Sequence, residues 1–332
     1  MTVAQNFFKT LSSHTHSSLQ KFLKSYKTLT KSQPKHWSNF QFRSNPNIKS
    51  NFGEKIDLNL NHPVLQKLEF CSNLAQFNQV QAQLIILGLF QHSLSASRVI
   101  KKASLLSDSL NTAILIFESI ENPDAFMCNT IIRSYCDRGD PENALSFYYS
   151  YVIFGCVFHN HYTFPLIIRV CVDVGSVLEG QKAHCRVLKC GFGFDLFVKN
   201  SLIRLYSVLG CVGSAEKVFD ESPESDLVTW NTMIDGYVKN GQVGLAHDMF
   251  DEMRVRDVFT WNSMIVGYVG MRDMEAAIEL FETMPYRDVV SWNCLLDGCV
   301  RVGDSLAARE CFNRMPKRNV VSWNTMLALY VT

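Results

Sequence analysis

The C-terminal half of the chain carries an apolar pattern that returns at a fixed interval. Trp230, Met233, Ile234 and Tyr237 stand at i, i+3, i+4 and i+7, which gathers them on one face of a helix. Gly241 follows, a natural place for the left-handed residue that ends a helix. Beyond it Ala246, Phe250 and Met253, at i, i+4 and i+7, predict a second helix. The pair then recurs. Trp230-Asn231, Trp261-Asn262, Trp292-Asn293 and Trp323-Asn324 succeed one another every 31 residues, and of the five Trp only Trp37 lies off that spacing. The segment from Asp226 to Tyr237 is echoed from Asp257 to Tyr268, and again after Asp288 and Asn319. Ala246, Ala277 and Ala308 hold equivalent places in the second helices and are small enough for close backbone approach. A lone pair of helices of about 12 residues is marginal in water, so neighbouring pairs must stack to bury their apolar faces. The expected fold is all-α, a solenoid of stacked helix-turn-helix repeats.

Upstream the phase holds with lapses. Asp195 to Tyr206 keeps the register with Lys199 in the place of Trp. Before it lies a unit of 35 residues, His161 to Asp195, with a second helix ending near Gly191. Ala125 opens a unit of 36 residues and restores the Asn at Asn129. Two looser units lie near 61–92 and 93–124, with first helices expected to start at Pro63–Leu65 and Ser97–Ile100. These divisions give a leader over 1–55, divergent repeats over 56–124, the regular array over 125–319, and an incomplete repeat over 320–332. That last piece leaves Trp323, Met326 and Tyr330 without a second helix, so a truncated, non-functional product is one reading of the chain.

The residues also carry a family resemblance. Val290-Ser291-Trp292-Asn293, with Ala277, Phe281 and Met284-Pro285 before it and Phe312 and Met315-Pro316 after it, resembles the short repeat of plant pentatricopeptide repeat proteins. The mixture of 35-, 36- and 31-residue units resembles the land-plant subclass built of long and short repeats, over roughly residues 61–332. The resemblance implies a right-handed α-solenoid that binds single-stranded organelle RNA, one base per repeat through two or three side chains. The readers it implies are the residue after Trp and the residue closing the repeat. These are Asn231 with Asp257, Asn262 with Asp288, Asn293 with Asn319, and Asn200 with Asp226. Earlier come Pro165 with Asp195, Asn129 with Asn160, and Ser97 with Asp124. Pro165 has no side-chain donor or acceptor, so its unit is expected to read nothing. The family's pairing rules imply uracil for Asn with Asp, a pyrimidine for Asn with Asn, and guanine for Ser with Asp. From the Asn129 unit onward the implied RNA is pyrimidine, any base, U, U, U, pyrimidine.

From the chemistry alone, an Asn amide offers a donor and an acceptor together, and a nearby carboxylate can hold its orientation. A single Asn near a helix start is more commonly a cap or turn residue. Recurrence strengthens the reading role, because Asn231 lies about 100° around the helix from Trp230 and leaves the apolar stripe in each copy. The Trp share a face with residues such as Met233 and Ile234 and are expected to pack rather than to stack on bases. Asp226, Asp257 and Asp288 also suit helix starts, where carboxylates favour the dipole.

Charge changes the picture at one end. Residues 1–50 hold eight Lys or Arg, seven of them Lys, nine Ser and no acid, whereas the remainder carries 24 basic and 31 acidic residues, a net of −7. With Phe7, Phe8, Leu11, Leu19, Phe22, Leu23 and Tyr26 at roughly helical spacing, the start reads as an organelle transit peptide, mitochondrial in preference to chloroplast. The net of −7 is unlike a protein that binds by phosphate neutralisation, so specificity would reside in base edges, with Lys239 or Arg301 serving phosphates locally. Eleven Cys occur without a Cys-x-x-Cys pair. Cys71, Cys136, Cys171, Cys211, Cys299 and Cys311 read as small buried hydrophobes, and neither a disulfide framework nor a metal site is expected. No apolar run of about 18 residues suggests a membrane span. Catalysis and a cofactor are not expected: the His-x-Glu and Cys-x-x-Cys of zinc deaminases, phosphate loops and nucleophile elbows do not occur, and His184 reads as a plain helix-face residue. The expected role is an adaptor for transcript processing, chiefly C-to-U editing, with a deaminase or other editing factors in trans. A peptide-binding scaffold is the rival, disfavoured by periods of 31 and 35 residues and the repeated Asn.

Overall fold

The structure is a computed structural model, and it describes residues 62–330 apart from 107–109, 121, 154–158, 222–224 and the side chain of Gln91. The described residues all lie in one compact unit, Asn59–Thr332. The leader over 1–55 falls outside them.

Among the described residues every regular element is helical. The divergent region holds α1 (Pro63–Phe70), α2 (Leu74–Ile86), α3 (Ser93–Leu105) and α4 (Leu110–Glu118). It is followed by α5 (Ala125–Asp137) and α6 (Pro141–Phe147), which runs on into a π-helical turn, Tyr148–Ile153. Then come α7 (Thr163–Val174), α8 (Val177–Lys189), α9 (Leu196–Val208) and α10 (Val212–Asp220). The regular repeats are α11 (Leu227–Lys239) with α12 (Val243–Glu252), α13 (Val258–Gly270) with α14 (Met274–Thr283), and α15 (Val289–Val302) with α16 (Ser305–Arg314), and α17 (Val320–Ala328) follows. Odd-numbered helices are the first of each hairpin. From α1 to α15 each packs on its own second helix and on the next first helix, so the first helices form one continuous row. The chain is thus an all-α solenoid of stacked helix-turn-helix repeats.

The sequence pattern accounts for most of this. Met233, Ile234 and Tyr237 are buried on α11, and Ala246 and Phe250 on α12. Ala246, Ala277 and Ala308 are fully buried. Gly298 marks how closely the first helices approach, since a Cβ there would lie 2.7 Å from Val269 Cγ2 and 2.8 Å from Met274 Sδ. Gly241 takes the left-handed conformation at φ 73°, ending α11; at the equivalent turn after α13, Arg272 does so at φ 61°.

Several expectations need correction. The first helix of the second unit starts at Ser93, four residues before Ser97. Pro165 has no N–H to return to residue 161, and in the first turn of α7 that absence is harmless. Met253 is buried but lies just past α12, in an extended conformation. Cys211 is only half-buried.

Candidate nucleic-acid interface

Each junction between regular repeats brings the same two side chains together. Asp257 is the N-cap of α13, and its Oδ1 accepts from the backbone N–H of Thr260 at 2.8 Å. The same oxygen accepts from Nδ2 of Asn231, the fifth residue of the preceding first helix, at 3.2 Å. One carboxylate therefore starts a helix and holds the amide of the repeat before it. Asn293 Nδ2 donates in the same way to Asn319 Oδ1 at 3.3 Å, and Asn129 Nδ2 to Asn160 Oδ1 at 3.4 Å. At the equivalent junctions the Asn200 amide helps to hold the Asp226 carboxyl pKa down, and the Asn262 amide that of Asp288. Ser97 Oγ donates to Asp124 Oδ2 at 3.4 Å, an oxygen it shares with Ser93 Oγ at 2.5 Å. Asp195 caps α9 through the N–H groups of Phe197 and Val198, each at 3.0 Å, and Pro165 offers it nothing.

The carboxylates stay ionised. Burial alone would raise Asp257, Asp226 and Asp288, but hydrogen bonds outweigh it and hold all three below the usual range. For Asp257 these come from the backbone and hydroxyl of Thr260 and from Asn231.

The amides sit deeper than their offset from Trp suggested. Asn231 is 7% exposed, and Asn129 and Asn262 are 8% exposed, because the next repeat covers them. Their carbonyl ends are turned into the stack. Asn231 Oδ1 accepts from Thr260 Oγ1 at 2.7 Å and Asn293 Oδ1 from Ser322 Oγ at 2.8 Å, while Oδ1 of Asn129, Asn200 and Asn262 is buried without a partner. Nδ2 is therefore the group through which the amide can act outward, and the expectation that both amide atoms face a ligand is corrected.

A second row was not anticipated. Phe126, Phe197, Val228, Phe259, Val290 and Val321 stand one helical turn before Asn129, Asn200, Asn231, Asn262, Asn293 and Asn324, and each is between 52% and 58% exposed. An apolar side chain at the second position of these six first helices was visible in the sequence. It lies off the buried stripe, so the periodicity that marks the core does not include it.

The Trp rings are used elsewhere. Trp230, Trp261, Trp292 and Trp323 meet Phe219, Phe250, Phe281 and Phe312 edge-on, with centroids 5.1, 4.9, 4.8 and 4.8 Å apart. Lys239 and Arg301, expected to serve phosphates, are already paired at 2.6 Å with Asp235 and Asp297 one turn back on their own helices. His184 is not a plain surface residue: its Nδ1 lies 2.9 Å from Tyr206 Oη, and burial pushes its pKa down. The described residues contain no His, Cys, Asp and Glu cluster that could hold a metal ion, and no helix among them is long and apolar enough to cross a membrane.

A family model described as the PPR repeat matches residues 126–156, 197–227, 228–258 and 259–289, and a second, described as the PPR repeat family, matches 287–322. The chain is a pentatricopeptide repeat protein. The matches starting at 197, 228 and 259 keep the 31-residue interval, and the Asn231 and Asn293 junctions carry the amide-to-cap hydrogen bond. Among relatives, a chloroplastic pentatricopeptide repeat-containing protein of Arabidopsis thaliana is 36% identical over 171 residues, covering 51% of this chain and 23% of the relative. A mitochondrial one from the same plant is 34% identical over 174 residues, covering 52% of this chain and 26% of the relative. The matched part thus spans about a quarter of the length of these relatives. Among solved structures, maize PPR10 in complex with an 18-nucleotide psaJ RNA element superposes with a TM-score of 0.49 at 16% identity, covering 79% of this chain and 47% of that one.

Proposed function

We propose that this pentatricopeptide repeat chain is a sequence-specific, single-stranded RNA-binding adaptor of an organelle, serving site recognition in C-to-U editing. The observation that carries the reading is the recurrence, at the Asn129, Asn231 and Asn293 junctions, of a held amide beside an exposed apolar side chain. Such a row offers each base a face to stack on and an edge to match. Stacking of this kind is worth about 1–3 kcal/mol per base.

The readers are Asn129, Asn200, Asn231, Asn262 and Asn293 with their caps Asn160, Asp226, Asp257, Asp288 and Asn319, together with Ser97 and Asp124. An Asn–Asp junction presents an N–H beside a carboxylate oxygen, a donor next to an acceptor. Uracil offers the complement, a carbonyl beside N3–H. An Asn–Asn junction puts a second amide in place of the free carboxylate oxygen and suits a pyrimidine with adjacent acceptors. Pro165 reads nothing, so the RNA runs pyrimidine, any base, U, U, U, pyrimidine. With a net of −7 outside residues 1–50, affinity comes from bases more than phosphates and falls only gently with added salt.

The basic leader over 1–55, free of acidic residues through position 50, addresses the chain to an organelle, the mitochondrion in preference to the chloroplast; relatives carrying both names exist. The chain supplies recognition and no chemistry, and the deaminase or other editing factors act in trans. Sequencing the RNAs selected by the purified chain tests the reading, and a purine-rich consensus would sink it. Asn231→Ala combined with Asn262→Ala is expected to weaken binding to the selected RNA by roughly 30-fold, the loss of two hydrogen bonds of about 1 kcal/mol each. If the double variant binds RNA like the parent and the chain captures a peptide instead, a scaffold role replaces this one.

A further inference from the structure

The third residue of each of the last four first helices is a hydroxyl, at Thr229, Thr260, Ser291 and Ser322, but these hydroxyls do not all do the same thing. Thr229 Oγ1 donates to Asp226 Oδ1 at 2.7 Å, within its own cap, and Ser291 Oγ to Asp288 Oδ1 at 2.9 Å. Thr260 Oγ1 lies 2.8 Å from Asp257 Oδ1 and 2.7 Å from Asn231 Oδ1, in the repeat before it. Ser322 Oγ likewise lies 3.0 Å from Asn319 Oδ1 and 2.8 Å from Asn293 Oδ1.

A hydroxyl has one proton to give. Asp257 Oδ1 already accepts from Thr260 N and from Asn231 Nδ2, so the proton is better used on the amide carbonyl. Asn231 is then held at both ends, nitrogen on the cap and oxygen on the hydroxyl. Asn200 and Asn262 receive no such hydroxyl, and their buried Oδ1 atoms have no partner. An unpartnered buried acceptor is an incentive for the side chain to reorient. A reader fixed before the ligand arrives loses less freedom on binding and tolerates a mismatched edge less well.

We propose that the hydroxyl three residues into a first helix, where it reaches the amide carbonyl as at Thr260 and Ser322, is a positioning residue for the reader of the preceding repeat. Its engagement makes the Asn231 and Asn293 repeats stricter in base choice than the Asn200 and Asn262 repeats. The proposal rests on the base-reading role assigned to these Asn above.

The test uses the full chain and RNAs carrying each base at one position. The position facing Asn231 is the one whose preference Asn231→Ala releases, and the position facing Asn200 is found in the same way. Thr260→Val is expected to reduce discrimination at the first position by about fivefold, the effect of one lost hydrogen bond, and Thr260→Ser to retain it. Thr229→Val removes a hydroxyl that bonds its own cap, Asp226, and does not reach Asn200. It should leave discrimination at its position unchanged. Discrimination by Thr260→Val equal to that of the parent overturns the proposal, as does equal loosening in both variants. A parent chain that prefers no base at any position overturns the reading and this proposal together, whereas a selective parent with an inert Thr260→Val overturns this proposal alone.

Discussion

Where the later repeats carry Trp and Arg, the repeat between Asp195 and Asp226 carries Lys199 and Ser225. In the later repeats, Phe250, Phe281 and Phe312 are each met on the edge by the next Trp and on the face by a guanidinium. Arg256, Arg287 and Arg318 sit 4.4, 5.1 and 4.8 Å from the ring centroids, and the Nε of each donates to the carbonyl of the Phe it covers. At Phe219 the edge is met by Trp230, but Ser225 stands where Arg would be. Lys199 supplies the missing cation. Its side chain is 1% exposed, its ammonium lies 5.3 Å from the centroid of Phe219, and it donates to Ser225 Oγ at 3.0 Å. Burial pushes the ammonium pKa down, opposed by Asp226 and Asp220. The two joints differ in every polar residue and keep the same interaction. What the array repeats is a cation on a ring that also receives an aromatic edge, an arrangement worth about 0.5–2 kcal/mol per cation.

The comparison can be broken most forcefully at the ring edge. Trp261→Ala removes a half-buried indole and its contact with Phe250, and is expected to destabilise by about 3 kcal/mol in urea unfolding. A loss below about 1 kcal/mol would show that the Trp row does not bind the stack together. A subtler experiment swaps one joint for the other. Lys199→Trp strips Phe219 of its cation and Ser225→Arg crowds two cations there, so each alone should cost about 1 kcal/mol, while the pair together restores the pattern of the later repeats. Additive losses would mean that Lys199 does not stand in for the Arg. The smallest effect is expected at the hairpin turn. Arg272 holds a left-handed conformation that Gly241 and Gly303 adopt without strain. Arg272→Gly should therefore raise stability by about 0.5 kcal/mol, strain relief of about 1 kcal/mol offset in part by the freer unfolded chain. A lower melting temperature in that variant would place the strain elsewhere.

How much of this was legible in the sequence depends on which force governs each feature. The hairpins, the Gly241 turn, the buried Ala series and the Asp caps follow from spacing, because burial and helix-end hydrogen bonds act over a few residues. The pairing of Asn231 with Asp257, 26 positions apart, came only through family resemblance; no local rule joins them. Arg256, Arg287 and Arg318 were equally periodic and went unread, since a lone charged residue between helices looks like surface. Lys199 was placed in the Trp register, but nothing in its type announces burial. The depth of the Asn amides was misjudged for a related reason: the offset from Trp230 describes one helix, whereas the cover comes from the next.

The shared oxygen of Asp257 has a wider consequence. Because the atom that holds a reader also begins the following helix, only side chains able to start a helix can occupy that place without loosening the stack; Asp, Asn, Ser and Thr nearly exhaust the choices. If each repeat is a letter, its spelling is constrained by the grammar of helix ends. An engineer rewriting the chain for another RNA would meet that limit before running out of bases to name.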